Sequence, residues 1–368
     1  MPSPSARREQ TDFVVLDPQR RPVALKETLA GHKTGQVVKA YREAVSTGLI
    51  EEAVHWSSEL VLSGNLWPVW DTLFTTAALY YYNHRQLPVY LADRYGRFRG
   101  AATGTADIEL RNNGMIRAII AETSAVLAAG ARQFKATRIH VADSDFLLDH
   151  LRCRMKAPTR DPARSFLLPD DPPEVAMAAN EFAHALQIKN LADAQFWAEW
   201  LLAYQNRCAK QKQPCVCGVR GPVAAPDKAR TSPPLLLWAI LRGVCRGRPL
   251  LDTTVNSWER LFMVRFTGIV NGSRANLLLA AVVAVCNHTR LIDARPITNP
   301  KLVPGVLRGV PAIYKRLCDT CGLEFVQEGK GGDGGARGGG GRGGAGPHGA
   351  GGVGGMLRLL TPSQSRRV

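Results

Sequence analysis

The chain has no apolar run long enough to cross a bilayer. Its longest, Leu277 to Cys286, is about half of the roughly 20 residues a spanning helix needs, so a buried helix is expected there and no membrane contact. The opening residues, Met1-Pro2-Ser3-Pro4-Ser5-Ala6-Arg7-Arg8, carry no apolar stretch of the kind a secretory leader requires. Acids are scarce beside bases: 31 Asp and Glu stand against 47 Lys and Arg, leaving a net charge of +16. Such an excess favours anionic partners, nucleic acid first, and concerns association rather than fold. Aromatics make up only 7% of the chain. Eight cysteines in 368 residues, without a leader, read as reduced intracellular thiols rather than a disulfide framework.

Recognisable chemistry is equally sparse. Gly31-His32-Lys33-Thr34 has the lysine and threonine of a phosphate loop, but the earlier glycine and the preceding apolar strand are missing. His55, His140, His150, His184 and His288 are scattered, and no serine sits in a nucleophile elbow. Cys318-Asp319-Thr320-Cys321 has a spacing that lets two sulfurs reach one zinc, and Cys208, Cys215 and Cys217 form a second group, yet neither is a local quartet. Asp143, Asp145, Asp149 and His150 read as a solvated acidic turn rather than a metal cage. No catalytic set, no metal site and no cofactor is therefore expected.

What the chain does contain is a duplication. Ile50 to Val61 aligns without a gap on Leu191 to Leu202, sharing an acid, then alanine, then tryptophan, then leucine at fixed spacing, which pairs Trp56 with Trp197. A second tryptophan follows each, Trp70 in the first copy and Trp238 in the second. Preserved order argues for two related helical halves, with the four tryptophans in their cores. Helical periodicity surrounds these motifs: Val37, Val38, Tyr41, Ala44 and Val45 before the first, and Met115, Ile116, Ile119, Ile120, Thr123, Val126 and Leu127 after it. In the Trp56 helix, Ile50, Ala53, Trp56 and Leu60 form the core stripe, and Glu51, Glu52 and Glu59 fall off it. Leu87-Pro88-Val89-Tyr90-Leu91 opens a short helix, whereas Gly96, Gly100 and Gly104 indicate a loop.

The predicted fold is all-α, two pseudo-repeated helical-hairpin lobes with a disordered Gly-rich C-terminal tail. Residues 1–33 form a flexible arm, 34–131 the first repeat, 132–173 a proline-rich linker, 174–326 the second repeat, and 327–368 the Gly/Arg-rich tail. The copies differ by an insertion, 207–234, placed between Trp197 and Trp238. It carries Arg207, Lys210, Lys212, Arg220, Lys228 and Arg230 against one acid, Asp227. Insertions in repeat proteins map to loops and often carry function, so these six residues are the first candidates for phosphate contacts. Arg337 and Arg342, each followed by two glycines, resemble the arginine-glycine segments that contact single strands.

Several motifs together resemble one family. Ala53 through Gly64, Trp70-Asp71, Leu87 through Leu91, Glu109-Leu110-Arg111-Asn112-Asn113, Met155-Lys156-Ala157-Pro158, Glu199-Trp200, Cys208 through Cys215 and Val264-Arg265-Phe266-Thr267 are similar to an uncharacterised protein shared by nucleocytoplasmic large DNA viruses, the giant viruses. The resemblance covers residues 36 to 318 and brings no assigned catalytic or binding residue. A fainter one, over Ala53 to Gly64 and its second copy, is to the helical C-terminal region of clamp-loader-related AAA+ ATPases, without the ATPase half. The resemblance implies a viral accessory protein in the host cytoplasm or nucleus, in a virus factory or in the virion. Its expected role is a non-enzymatic scaffold contacting nucleic acid or viral and host replication or transcription proteins. A purely protein-binding or virion scaffold, homo-oligomeric or not, and an enzyme dependent on a metal or a thiol are the alternatives.

Overall fold

The computed structural model describes residues 13–17, 26–106, 108–221 and 226–327. These are overwhelmingly helical, as the periodicity predicts. Five helices build the first repeat: α1 (Thr34–Thr47), α2 (Ile50–Leu62), α3 (Leu66–Tyr80), α4 (Leu87–Ala102) and α5 (Gly114–Ala129). Helix α1 buries Val37, Tyr41, Ala44 and Val45 along one stripe and ends at Gly48, whose φ of +87° suits only glycine without strain. Helix α5 is apolar on most of its faces, the pattern of an interior helix. It packs against each of the other four.

Downstream come α6 (Leu148–Arg154) and α7 (Asp161–Arg164), then α8 (Pro173–Gln187), α9 (Leu191–Lys210), α10 (Asp227–Arg230), α11 (Pro234–Cys245), α12 (Pro249–Met263) and α13 (Gly272–Cys286). Helices α8, α9, α11, α12 and α13 repeat the packing of α1 to α5, with α13 as the interior helix. The match extends to devices outside the tryptophan motif. Helices α5 and α13 each start after an Asn-Gly pair whose asparagine caps the first turn, Asn113 accepting from the Ile116 amide at 3.1 Å and Asn271 from the Arg274 amide at 3.0 Å. Just inside each lies a buried arginine bound to backbone carbonyls of the preceding segment. Arg117 donates to the carbonyls of Arg111 and Phe13, and Arg274 to those of Phe262 and Val264.

The tryptophan pairs behave differently. Trp70 and Trp238 are both fully buried, each against a phenylalanine of the fourth helix of its repeat, Phe98 at 5.3 Å and Phe262 at 5.3 Å. Trp197 is buried as well, beside Phe196 and Trp200. Trp56 is only half-buried, which corrects its assignment to the core. Its flank is covered by residues 26–33, where His32 sits edge-on at 6.1 Å. That segment is fastened by Glu59, which lies inside rather than on the solvent face, accepting from Thr28 Oγ1 at 2.6 Å and pairing with His32 Nδ1 at 2.9 Å. Both partners meet Oε1, which offsets part of the cost of burying the carboxyl group.

Three other expectations are corrected. Helix α4 runs through Gly96 and Gly100, although each glycine costs about 1 kcal/mol relative to alanine in a helix interior. Burial of Leu87, Leu91, Ala92 and Phe98 outweighs that cost. The arm contributes a strand, β1 (Phe13–Leu16), paired antiparallel with β2 (Glu324–Gln327). Phe13 and Val15 point inward, the Arg117 guanidinium lies 3.6 Å over the Phe13 ring, and the Asn112 side chain binds both the amide and the carbonyl of Val15 at 2.9 and 3.0 Å. A four-residue alternation is too short to stand out in sequence. The segment 132–173 is no free spacer either: Phe146 packs on Trp200, the Trp200 indole donates to the Asp145 carbonyl, Arg138 grips Glu199 with two hydrogen bonds, and Glu181 accepts from the amides of Lys156 and Ala157.

The two repeats belong to one compact unit. Helix α3 packs on α13 and α4 on α12, making a seam. The last helix, α14 (Leu302–Cys321), expected in the second repeat, packs on α2 and α5 of the first. The glycine-rich tail expected over 327–368 lies, apart from Gln327, outside the described residues. Among the described residues, no helix is long and apolar enough to cross a membrane.

Candidate nucleic-acid interface

The six basic residues of the insertion do not form one surface. Arg220 is structural: its side chain is 9% exposed and faces Asp171, itself 1% exposed, across two charge-assisted bonds of 2.7 and 2.5 Å. It also donates to the carbonyls of Phe166 and Gly218, while Asp171 accepts from the amides of Leu168 and Gly218. Burial alone would raise the Asp171 carboxyl. The Arg220 hydrogen bonds, then the two amides, more than reverse this and hold it below the usual range. Arg230 pairs with Asp227 at 3.2 Å, and Arg207 pairs with Asp143 at 3.3 Å with its guanidinium over Phe146. Lys210, Lys212 and Lys228 are exposed and have no carboxylate partner among the described residues. Arg337 and Arg342 lie outside the described residues.

Six of the cysteines are buried free thiols, Cys215 is half-buried and Cys153 is exposed. Burial, followed by the neighbouring Cys208, pushes Cys215 up to about 12, and burial, followed by Asp171, does the same to Cys217. Cys245 and Cys286 are also raised to about 12 and Cys318 to about 11, in each case chiefly by burial. A thiol raised this far is protonated near neutrality and a weak nucleophile in that form. Among the described residues, no three His, Cys, Asp or Glu side chains come together as a metal site.

Unpaired cations do converge at the seam. Between α4 and α12 lies a groove of about 400 Å³ lined by Ala92, Tyr95 and Gly96 on one side and by Asn256, Glu259, Arg260, Leu261, Met263 and Val264 on the other. Arg99 sits one helical turn beyond Tyr95 on α4. Arg265, held at a φ of +54° just past α12, places its guanidinium 4.8 Å over the Trp67 ring. Burial raises the Tyr95 phenol, and the charges of Arg99 and Arg265 act on it in the opposite sense. Arg99, Arg260 and Arg265 are exposed, and none is paired with a carboxylate among the described residues. The acid on the groove wall, Glu259, is raised by burial against the opposing charge of Arg242, which holds it at 2.7 and 3.0 Å.

One insertion residue joins this cluster. A Cβ on Gly268, at φ +105°, would meet the Lys228 carbonyl at 2.5 Å, so α10 rests directly on the loop that follows α12. The Gly268 carbonyl is itself clamped by Gln205 Nε2 and Ser232 Oγ, both at 2.7 Å. Arg265 is three residues from Gly268, no more than about 11 Å along the chain. Arg260 and Tyr95 thus line the groove, Arg99 follows one turn along α4, Arg265 lies over Trp67 just past α12, and Lys228 lies on α10 against the same post-α12 loop. The sequence points to Lys228 and not to the other three, which come from α4 of the first repeat and from α12 and the turn after it in the second.

No protein-family model, no curated protein and no solved structure matches the chain.

Proposed function

We propose that the protein is a non-enzymatic helical scaffold that binds nucleic acid through phosphate contacts at the seam between its two repeats. The observation that carries this reading is the set of guanidiniums without a carboxylate partner among the described residues, Arg260 in a groove walled by Tyr95, Arg99 one turn beyond Tyr95 and Arg265 just past α12, with Lys228 on α10 against the loop that follows. A guanidinium without a carboxylate keeps its full charge available to a phosphate, and its planar donors fit phosphate oxygens two at a time. Such contacts are independent of base sequence and release counterions, so affinity should be steeply salt-dependent. In the setting implied by the giant-virus resemblance, the ligand is nucleic acid in the infected cell.

Fluorescence anisotropy of the full chain with labelled oligonucleotides tests this. Three or four phosphates neutralised would give a slope of about −2.1 to −3.6 in log affinity against log salt, or a loss of about 20- to 150-fold between 50 and 200 mM. The triple variant Arg99→Glu, Arg260→Glu, Arg265→Glu should abolish binding at 100 mM salt. Wild-type protein that binds neither single- nor double-stranded nucleic acid at 50 mM salt refutes the reading.

A protein-binding role has its own support at the other end of the insertion. Leu168, Val216 and Val219 are 39%, 53% and 56% exposed, and Leu168 packs against Gly218, between the two valines. Adjoining exposed aliphatics of this kind suit a partner protein or a second copy of the chain. Concentration-dependent mass that Val216→Glu with Val219→Glu removes would favour it.

A further inference from the structure

The groove carries more than charge, and, on the nucleic-acid reading above, the remainder of its lining selects the ligand. Its walls are largely apolar: Ala92, Leu261, Met263, Val264 and the ring of Tyr95. Positive charge stands on Arg260 in the groove lining, on Arg99 one helical turn beyond Tyr95 on α4, and on Arg265 just past α12, over the Trp67 ring. Gly96 faces the same space, and a Cβ there would touch nothing within 4 Å. The Tyr95 ring is fixed by three aromatic neighbours, Trp70 at 5.2 Å, Phe74 at 5.4 Å and Phe98 at 5.8 Å. It is therefore a rigid wall rather than a mobile side chain, and a stacked ligand would not have to order it first.

We propose that this groove is a base-stacking site for single-stranded nucleic acid, in which a base enters between α4 and α12 against Tyr95 while Arg99, Arg260 and Arg265 hold the flanking phosphates. The discrimination is physical. A duplex buries its base faces in its own stack and presents phosphate at its edge, so it can use the rim but not the apolar walls. An unpaired strand offers both surfaces, and stacking on an aromatic side chain is tolerant of sequence because every base has a π-face. About 400 Å³ falls in the range of sites that enclose small planar ligands.

The test fills the groove without touching its charge. Gly96→Leu adds a side chain into open space on a helix that prefers leucine to glycine, so the fold should be kept and the melting temperature held or raised. Gly100→Leu, one turn along on the same helix and also with no atom within 4 Å of its Cβ, is the control outside the groove wall. Anisotropy is read with oligo-dT of 20 nucleotides and with a 20-base-pair duplex, at one salt concentration. Gly96→Leu should weaken single-strand binding about 5- to 100-fold, the worth of one lost stacked base, and leave duplex binding within twofold; Gly100→Leu should change neither. Single-strand affinity within twofold of wild type in Gly96→Leu, with the triple arginine variant still defective, overturns this proposal and spares the phosphate-binding one. Absence of binding to either oligonucleotide defeats the parent reading instead. A poly-glutamate peptide that binds in a Gly96-sensitive manner where oligo-dT does not would identify the groove as a site for acidic peptide and also overturn it.

Discussion

Replacing Arg220 by alanine should cost about 3–5 kcal/mol of folding stability, the usual penalty for removing one partner of a buried ion pair. The magnitude comes from what is left behind. Asp171, 1% exposed, loses two charge-assisted hydrogen bonds and keeps only the amides of Leu168 and Gly218. The carbonyls of Phe166 and Gly218 lose a donor as well. At roughly 2 °C per kcal/mol for a body of this size, the melting temperature should fall by about 6–10 °C. Urea titration followed by circular dichroism gives the free energy directly. Nucleic-acid affinity of the folded variant should be unchanged, because a guanidinium already occupied by a carboxylate has little charge to give a phosphate. A deficit below 1 kcal/mol, or a folded variant with at least tenfold weaker binding, would refute the structural assignment.

The same pair fixes a pH dependence. The Asp171 carboxyl titrates below its ordinary value of 3.8 in the folded state, so the fold favours its charged form. Its contribution is complete above the ordinary value and is lost as the pH falls through the folded one. The stability gap between wild type and Arg220→Ala should therefore be constant from pH 7 to about 5 and close below about pH 4. A gap that widens on acidification would mean that the carboxylate is not held by Arg220.

Three further outcomes follow from the packing. Gly268→Ala combines a left-handed backbone, costing about 1–2 kcal/mol for a side chain, with a Cβ driven against the Lys228 carbonyl, an overpacking of about 1–3 kcal/mol; urea melts should show a loss of about 2–5 kcal/mol, and a loss under 1 kcal/mol contradicts the contact. Asn112→Ala removes both bonds to Val15 and should deprotect the β1 amides in hydrogen exchange, with about 1–3 kcal/mol lost; unchanged exchange would show the strand to be held elsewhere. Burial lowers His55, against the opposing charge of Glu59, and also lowers His84, against a hydrogen bond that the ring donates to the Ala131 backbone. Their neutral forms are favoured on folding, so the stability they contribute is present above pH 6.5 and lost as the pH falls below it. A urea midpoint that rises from pH 5 to pH 7 in wild type and flattens in His55→Gln, His84→Gln is expected, and an unaltered slope in the double variant rules these groups out.

The helical class and the duplication were legible because a packed helix writes its period into every third or fourth residue. A tryptophan with a fixed spacing from leucine and alanine is moreover a long enough signal to align. The degree of burial was not legible. Trp56 and Trp197 occupy the same register, yet one is half-buried under residues 26–33 and the other is enclosed by Phe196, Trp200 and α13. Nothing in either helix specifies what lies over it. The same limit explains Glu59, whose burial depends on Thr28 and His32 in an arm that reads as polar coil. Helix α4 was cut short because glycine is a breaker in local propensity, whereas its continuation is decided by tertiary burial on the opposite face.

The candidate site failed to show in sequence for a related reason, and the reason indicates where such sites are to be sought. A basic insertion draws attention because its charges are adjacent in the chain, but adjacency also supplies local acids: Asp227 lies three residues from Arg230 and pairs with it, and other acids arrive by folding, Asp143 at Arg207 and Asp171 at Arg220. All three arginines of the insertion are thus neutralised in space, and only its lysines stay without a carboxylate among the described residues. Arg99, Arg260 and Arg265 are inconspicuous one by one, and become a cluster only because the fourth helices of the two repeats are packed together. Duplication creates a seam that neither copy has alone, and a groove at that seam escapes any constraint to pack the core of either repeat. Unpaired cations can persist there at little cost to stability, so single charge-neutral substitutions, Arg99→Gln, Arg260→Gln or Arg265→Gln, should each change folding free energy by under about 0.5 kcal/mol while lowering the salt dependence of nucleic-acid binding by close to one phosphate contact. If any of the three instead costs more than about 2 kcal/mol in a urea melt, that arginine is part of the scaffold and the surface argued for the groove loses a member.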